Sequence, residues 1–250
     1  MTTGQEAALG IALLIGLLLG AMGSGGSIVA LPVLVYIAGI PPKAAVPMSM
    51  VIVGASSFVA AILHARQKRF HPKAASLLGA TGIAGAYLGS GATHMVAATT
   101  LMLIFAAVVL IVGILILTGA VDHLSASACR PVRCLSVGAA VGVLTGFLGV
   151  GGGFLIVPAL IFFAGLETKV AVGTSLAIIA LNSTAGLLGQ IRYAQFDWTL
   201  TLSFTGLTLI GMVWGTRLAD RIPEETFRKV FAAMLVIIGL IIGGLNLSAS

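Results

Sequence analysis

Two glycine clusters are the stretches of this sequence whose residue types and spacing could do chemistry. The first runs from Gly20 to Ser27 and the second from Gly146 to Gly153, each inside an apolar run and without a charged residue. Each glycine costs a helix about 1 kcal/mol relative to alanine, so the backbone is expected to break there. A helix that restarts after such a break presents unpaired N–H groups and the positive end of its dipole. The clusters are therefore predicted to bind an anion through the backbone.

The predicted binding set combines the clusters with polar side chains on the next apolar segment of each half. Its cluster members are Gly23, Ser24, Gly25, Gly26, Ser27, Gly149, Gly151, Gly152 and Gly153. The polar members are Ser49, Ser57, Thr174, Ser175, Asn182 and Ser183, and steps of seven or eight residues place them on one helix face in each half. The alternatives are that the glycines only permit tight helix packing and that the polar groups only bond between helices.

The ionisable residues indicate an anionic or neutral ligand. All seven Asp and Glu residues fall in predicted loops or at segment ends, so no buried acid is available for proton or sodium coupling. Arg66 and Arg192 match between the halves, fall on opposite faces in an inverted arrangement of the halves and are a predicted anion funnel, although snorkelling at a helix end explains each equally well. His64 ends the second apolar segment beside Arg66 and could relay a proton, but it is interpreted as a loop-edge histidine, because its counterpart in the second half is Gln190.

The composition excludes a soluble domain. Of the 250 residues, 59% are hydrophobic and 8% are charged, whereas soluble proteins carry roughly 25% charged residues. The net charge of +6 lies in short loops and at segment ends, which is typical of a membrane protein and not of nucleic-acid binding. No catalytic residue, cofactor or metal site is predicted, and Cys129 and Cys134 are expected to be free thiols.

The chain contains one unit twice. A shift of 126 residues carries Gly20 to Gly146 and aligns residues 16–113 with 142–239 without a gap. The shift keeps glycine, proline and charged residues in register, which a chance match of apolar segments would not do. We interpret the sequence as a duplicated unit.

The first apolar segment of each unit exceeds the roughly 20 residues that span a bilayer, and its glycine cluster divides it. It either crosses once as a broken helix, which gives parallel repeats, or folds into a hairpin, which gives inverted repeats. Short cytoplasmic loops collect Lys and Arg. The parallel arrangement divides the 13 basic residues 7 to 6, whereas the inverted arrangement places 11 inside and leaves Lys43 and Arg192 outside. We therefore predict inverted repeats with both termini outside.

The predicted fold is an all-α polytopic membrane protein of two inverted-topology repeats, each a Gly-broken helical hairpin followed by three transmembrane helices. Repeat 1 covers residues 1–118, with its hairpin at 5–39 and helices at 44–65, 73–93 and 96–118. A cytoplasmic linker is predicted at 119–134. Repeat 2 covers 135–250, with its hairpin at 135–165 and helices at 170–191, 198–219 and 226–247. Pro32 and Pro158 are expected near the starts of the second hairpin legs, where a missing N–H costs little.

Two motifs carry a family resemblance: Gly23-Ser24-Gly25-Gly26-Ser27 through Pro32, and Gly149-Val150-Gly151-Gly152-Gly153 through Pro158. Within a duplicated apolar chain they resemble the TauE/SafE family of sulfite and organosulfonate exporters. The resemblance implies secondary transport of a small sulfur-containing anion, such as sulfite or sulfoacetate, across a prokaryotic inner membrane. Alternating access around a midplane site is the expected mechanism.

Two other functions stay open. A passive anion channel of the same architecture would need the same site, and an intramembrane enzyme is a weaker alternative that leaves the duplication unexplained. The expected partners are the anion and the lipid bilayer, with no nucleic acid. The oligomeric state does not follow from the sequence.

Overall fold

The structure, a computed structural model, describes residues 3–23, 25–119, 131–192, 194–218 and 223–247. Within these ranges the chain forms ten α-helices: α1 (Thr3–Met22), α2 (Gly25–Pro32), α3 (Pro42–Arg66), α4 (Pro72–Ala92), α5 (Ala98–Leu117), α6 (Pro131–Leu148), α7 (Gly153–Ala164), α8 (Thr168–Gln190), α9 (Trp198–Leu218) and α10 (Glu224–Leu247). Six of them, α1, α3, α5, α8, α9 and α10, are long and apolar enough to cross a membrane. The prediction of an all-α polytopic membrane protein is therefore confirmed.

Several helix ends follow directly from the local sequence. Pro42, Pro72 and Pro131 stand at the first position of their helices, where the missing N–H costs no helical bond and the fixed φ suits the helix. His71 precedes α4, and its Nδ1 accepts a bond from the N–H of Ala74 at 3.2 Å. These local signals set the lengths of the helices that carry the site.

Each glycine cluster joins two helices that fold back on one another. Gly23 follows α1 with a φ of 69°, a conformation that glycine adopts freely. A Cβ on Gly26, at the start of α2, would lie 2.2 Å from the carbonyl oxygen of Ile15 on α1. In the second half the Arg133 guanidinium, near the start of α6, lies 4.8 Å from the ring centre of Phe163, near the end of α7. The two helices of each pair therefore lie side by side.

The first helix of each half packs closely along a helix of the other half, α1 along α9 and α6 along α4. A Cβ on Gly20 would lie 2.2 Å from the carbonyl oxygen of Met212, and one on Gly146 would lie 2.1 Å from that of Ala86. No side chain fits at such a crossing, and small residues allow the backbones to approach. For these two cluster residues the packing alternative holds.

The long helices α3 and α8 cross antiparallel at the centre. Gly54 of α3 faces Ser183 of α8, and Gly186 of α8 faces Met50 of α3. The residue numbers of α8 therefore decrease along the crossing as those of α3 increase. The helices α5 and α10 are antiparallel in the same way. Each pair joins two segments that the 126-residue shift relates to one another.

Pro32 and Pro158 do not stand near helix starts, so that expectation was wrong. Pro32 is the last residue of α2, which continues as a π-helix over Val33–Ile37, and Pro158 lies halfway along α7. A proline inside a helix removes one backbone hydrogen bond. The wider π-turns after Pro32 accommodate this local defect.

Cys134, in the first turns of α6, is disulfide-bonded, so the expectation of a free thiol there was wrong. The sequence contains one other cysteine, Cys129, which lies outside the described residues. Most of the predicted linker at 119–134 also lies outside the described residues, and 131–134 belong to α6.

The glycine crossing of α1 and α9 generates a stability prediction. A Cβ on Gly215 would lie 2.1 Å from the carbonyl oxygen of Leu17, so Gly215→Ala is expected to lower the free energy of unfolding by about 1–3 kcal/mol. The control is Gly206→Ala on the same helix, where a Cβ meets nothing within 4 Å. Thermal unfolding of the purified variants in detergent measures the difference. Equal melting temperatures would show that the crossing is not tight.

Candidate anion site

The glycine turn of each half lies against the long helix of the other half. A Cβ on Gly23 would lie 2.8 Å from Val172 Cγ1 and 3.3 Å from Ser175 Oγ, both on α8. Gly149 stands in the same relation to α3, where a Cβ would lie 2.2 Å from Val46 Cγ1. Both glycines have φ near +70°, at 69° and 72°. Each turn is thus held by a helix outside its own half.

The second turn reaches the crossing of α3 and α8. Gly151 has a φ of 66°, and a Cβ there would lie 2.8 Å from Val53 Cγ1 on α3 and 2.9 Å from Ser183 Oγ on α8. A side chain at this position would therefore displace groups on both long helices. The backbone of Gly151 approaches the Ser183 hydroxyl because it carries no side chain.

The helix α7 begins directly after this turn. Gly152 precedes α7 with a φ of 74° and provides no side-chain cap. The N–H of Leu155 bonds to the Gly152 carbonyl oxygen at 3.0 Å, which leaves the N–H groups of Gly153 and Phe154 without an acceptor inside the helix. Gly152 and Gly153 are both buried. The buried start of α7 therefore carries the donors and the positive dipole end that an anion requires.

Buried polar side chains on α3 and α8 have unmet hydrogen-bonding capacity. Within the described part of the chain, no partner exists for the hydroxyls of Ser56, Ser57 and Ser183 or for either amide atom of Asn182. An unsatisfied buried polar group costs about 1–3 kcal/mol, and native structures pair nearly all such groups. Ser183 lies at the Gly151 turn, and Ser57 occupies the equivalent position on α3. These unpartnered groups are therefore candidates for contact with a polar ligand.

Asn182 and Ser183 lie against different helices. A Cβ on Gly82 of α4 would lie 2.8 Å from Asn182 Oδ1, so the amide stands beside α4. Ser183 stands beside Gly54 of α3. Successive residues of a helix point in directions about 100° apart, which is why the two predicted ligands separate.

Three predicted ligands are already hydrogen-bonded to the protein. The Ser49 hydroxyl donates to the carbonyl oxygen of Gly149, and the Ser175 hydroxyl donates to a carbonyl oxygen of its own helix at 2.8 Å. Thr174 Oγ1 accepts a bond from the His71 N–H at 3.0 Å. The bonds of Ser49 and Thr174 join different segments, as the bonding alternative described, whereas that of Ser175 stays within its own helix.

The first cluster is described only in part. Ser24 lies outside the described residues, while Gly25 begins α2. Gly26 and Ser27 in the first turn of α2 are buried. The helix α2 also contacts α7, so the two restarted helices meet.

The structure does not bring Arg66 and Arg192 together. Arg66 ends α3 and Arg192 follows α8, and because α3 and α8 are antiparallel, these residues lie at opposite ends of the bundle. Both side chains are exposed. Arg192 lines a cavity of about 490 Å³ together with Lys43 and His94. One end of the bundle therefore has a cationic mouth.

His94 in this mouth was not singled out from the sequence. It lies in the short turn Thr93–Met95 between α4 and α5, and the Lys43 ammonium donates to its carbonyl oxygen at 3.3 Å. Burial and the charge of Lys43 hold the pKa of His94 below its usual value. Both effects disfavour the imidazolium, so His94 is neutral at neutral pH.

His64 is buried, so its interpretation as a loop-edge histidine was wrong. Its side chain is 1% exposed, and its Nε2 lies 3.3 Å from the carbonyl oxygen of Gly20 near the end of α1. The loop after α3 covers it: a Cβ on Gly173 would lie 1.9 Å from the Arg69 carbonyl oxygen and 3.0 Å from His64 Cβ. A loop that folds back over a helix end leaves no mark in the local hydrophobic pattern.

Comparison with known proteins finds relatives over nearly the whole chain. The family model described as sulfite exporter TauE/SafE matches residues 8–242. A probable membrane transporter protein of Xylella fastidiosa (strain 9a5c) is 34% identical over 238 residues, which cover 91% of this chain and 90% of the relative. The probable membrane transporter protein YdhB of Bacillus subtilis (strain 168) is 24% identical over 235 residues, which cover 92% and 96%. No solved structure gives a significant match.

The cationic mouth generates a titration prediction. Because the Lys43 charge repels a second cation, Lys43→Met is expected to raise the pKa of His94, while the contribution of burial persists. Histidine NMR titration of selectively labelled protein measures this shift, with His94→Gln used to assign the signal. Lys169→Met, at the counterpart of Lys43 in the second half, should leave the pKa of His94 unchanged. An unchanged value in Lys43→Met would mean that the two side chains do not interact.

Proposed function

This chain belongs to the sulfite exporter TauE/SafE family, and on that premise we propose that it carries small sulfur-containing anions across the cell inner membrane. The chain is a multi-pass membrane protein whose relatives are named as probable membrane transporters. Sulfite and organosulfonates such as sulfoacetate are the proposed substrates. Their sulfur-bound oxygens accept hydrogen bonds, so the site must supply donors.

The observation that carries this proposal is the group of donors at the crossing of α3 and α8. The buried start of α7 supplies backbone N–H groups, and the unpartnered hydroxyls of Ser57 and Ser183 lie on the two long helices. Hydrogen bonds to a charged acceptor contribute about 1.5–3 kcal/mol each. The acidic side chains whose burial is described, Glu6, Glu167, Asp197 and Glu225, are exposed, so they do not compete for these donors.

Inverted topology of the two halves is part of the proposal. The halves are related by the 126-residue shift, and yet their equivalent helices α3 and α8 are antiparallel. Parallel repeats would be expected to orient these helices the same way across the membrane, so the antiparallel crossing supports inversion. The bias of Lys and Arg then puts both termini outside.

We propose alternating access as the mechanism, with the exchanged glycine turns as the parts that change contacts. The Gly151 turn touches Val53 in one half and Ser183 in the other, so rotation of one half against the other alters the site itself. A passive channel is the second candidate. The burial of Ser57 and Ser183, at 0% and 1% exposure, favours a carrier, since a channel needs a continuous aqueous path.

Flux of sulfite and sulfoacetate in proteoliposomes tests the function. Saturable flux is expected, and Ser183→Ala should weaken apparent affinity about tenfold or more, because it removes a hydrogen bond to the anion. The control is Thr184→Ala on the same helix, whose exposed hydroxyl already donates to the Ala180 carbonyl oxygen at 2.8 Å. An equal loss of apparent affinity in both variants would show that Ser183 does not bind the anion. Single-channel currents far above the rate of a rocking cycle would favour the channel.

Topology reporters test the inversion. Fusions after residue 70 and after residue 223 are both expected to report the cytoplasm, because the basic loops and helix ends near both positions face inward in the inverted arrangement. A fusion after residue 95 should report the outside and serves as the control. A periplasmic signal from the fusion after residue 223 would restore the parallel arrangement.

A further inference from the structure

His64 is the one buried ionisable side chain in the described part of the chain, apart from the disulfide-bonded Cys134, which does not titrate. Every other buried polar side chain there is a serine, threonine, asparagine or glutamine. Ionisable groups inside a membrane protein are rare and serve as ion or proton sites. His64 lies on α3, the helix that also carries Ser57 of the anion site.

The surroundings of His64 suit reversible binding of a proton to its imidazole. Its Nε2 lies 3.3 Å from the Gly20 carbonyl oxygen in the last turn of α1, where the negative end of the helix dipole favours an imidazolium. A carbonyl oxygen only accepts hydrogen bonds, so Nε2 carries a hydrogen in both charge states. The exchangeable proton is therefore gained and lost at Nδ1.

His64 is close enough to the anion site to influence it. Ser57 precedes it by seven residues on the same helix, which corresponds to about 10 Å and nearly the same helix face. Gly20 is separated by three positions from Gly23, where the first glycine turn begins. At about 10 Å and an effective dielectric of about 20, opposite charges attract enough to change binding roughly tenfold.

Cations dominate the elements around His64. They are Arg66 on its own helix, Lys68 and Arg69 in the following loop, Lys169 on α8 and Arg217 on α9, while Glu167, directly before α8, is the acid at this end of that helix. The helix α1 contributes only Glu6, in its first turn at the opposite end from Gly20. These cations oppose protonation of His64, whereas a bound anion favours it. Proton and anion are therefore expected to bind together.

We propose that His64 binds the proton that is transported together with the anion. In each cycle the neutral imidazole takes one proton from water on one side, forms the imidazolium while the anion is bound, and returns the proton to water on the other side. This role rests on the proposed anion transport and names its coupling ion. It also provides a proton site in a protein whose described acidic side chains are all exposed.

The experiment uses proteoliposomes of the full chain with an enclosed pH indicator and sulfoacetate as the substrate. Sulfoacetate stays ionised between about pH 6 and pH 8, where histidine titrates. Any proton that moves with it is therefore carried by the protein and not by the substrate. For the wild type we expect one proton per anion and an apparent affinity that rises roughly tenfold on acidification. His64→Gln introduces the residue that the second half carries at Gln190, and it should move sulfoacetate without protons and without this pH dependence.

A control and a binding measurement complete the test. His71→Asn should keep the wild-type coupling, because asparagine is also a preferred N-cap residue for α4. Independently of any variant, sulfoacetate binding to the wild type in detergent should take up a proton from weakly buffered solution. Proton coupling that survives in His64→Gln, or wild-type binding without proton uptake, overturns the role of His64. Wild-type protein without flux of sulfite or sulfoacetate overturns the proposed function, and the coupling role falls with it.

Discussion

The rest of the structure depends on backbone contact between helices of different halves. Along α1 and α9, and along α4 and α6, glycines remove the side chains that would hold the backbones apart, and added Cβ atoms would lie as close as 2.0 Å to carbonyl oxygens. Lipid tails are as apolar as the side chains, so dispersion and close packing hold membrane helices together. The halves therefore pack most closely where their backbones touch. These crossings lie just before the glycine turns along the chain, so they hold each turn against the other half.

The contact of each glycine turn with the long helix of the other half determines which polar side chains lie beside the turns. Gly149 meets α3, and Gly23 meets α8, each at a serine one turn from a valine. The Ser49 hydroxyl holds the Gly149 turn and the Ser175 hydroxyl bonds within its own helix, while Ser57 and Ser183, farther along the same helices, have hydroxyls without a partner among the described residues. The two long helices thus carry both bonded and unbonded buried hydroxyls, and the unbonded Ser57 and Ser183 are those assigned to the proposed anion site.

Sequence reasoning reached the helical membrane fold, the backbone breaks and the two long helices that carry the buried polar side chains, because glycine density, apolar length and helical spacing are local properties. It did not separate Ser183 from Ser175, since either hydroxyl could bond to a carbonyl oxygen of its own helix, and the sequence does not show that only Ser175 does so. It misplaced His64, because the covering loop depends on the approach of Arg69 to Gly173. The prediction also misplaced Pro32 within its helix and took Cys134 for a free thiol. A π-turn and a disulfide both depend on the local geometry of the folded backbone, which residue type alone does not give.

The π-helix at Val33–Ile37 makes the halves unequal, since the corresponding stretch of α7 is an ordinary α-helix. Two identical halves that exchange roles would produce two conformations of equal energy, and the unoccupied protein would divide its time evenly between the two faces of the membrane. A wide turn in one half, together with His64 opposite Gln190, lifts that degeneracy. In the proposed alternating-access cycle the resting protein would then have a preferred face, and a few side chains would set the energy difference between its two states.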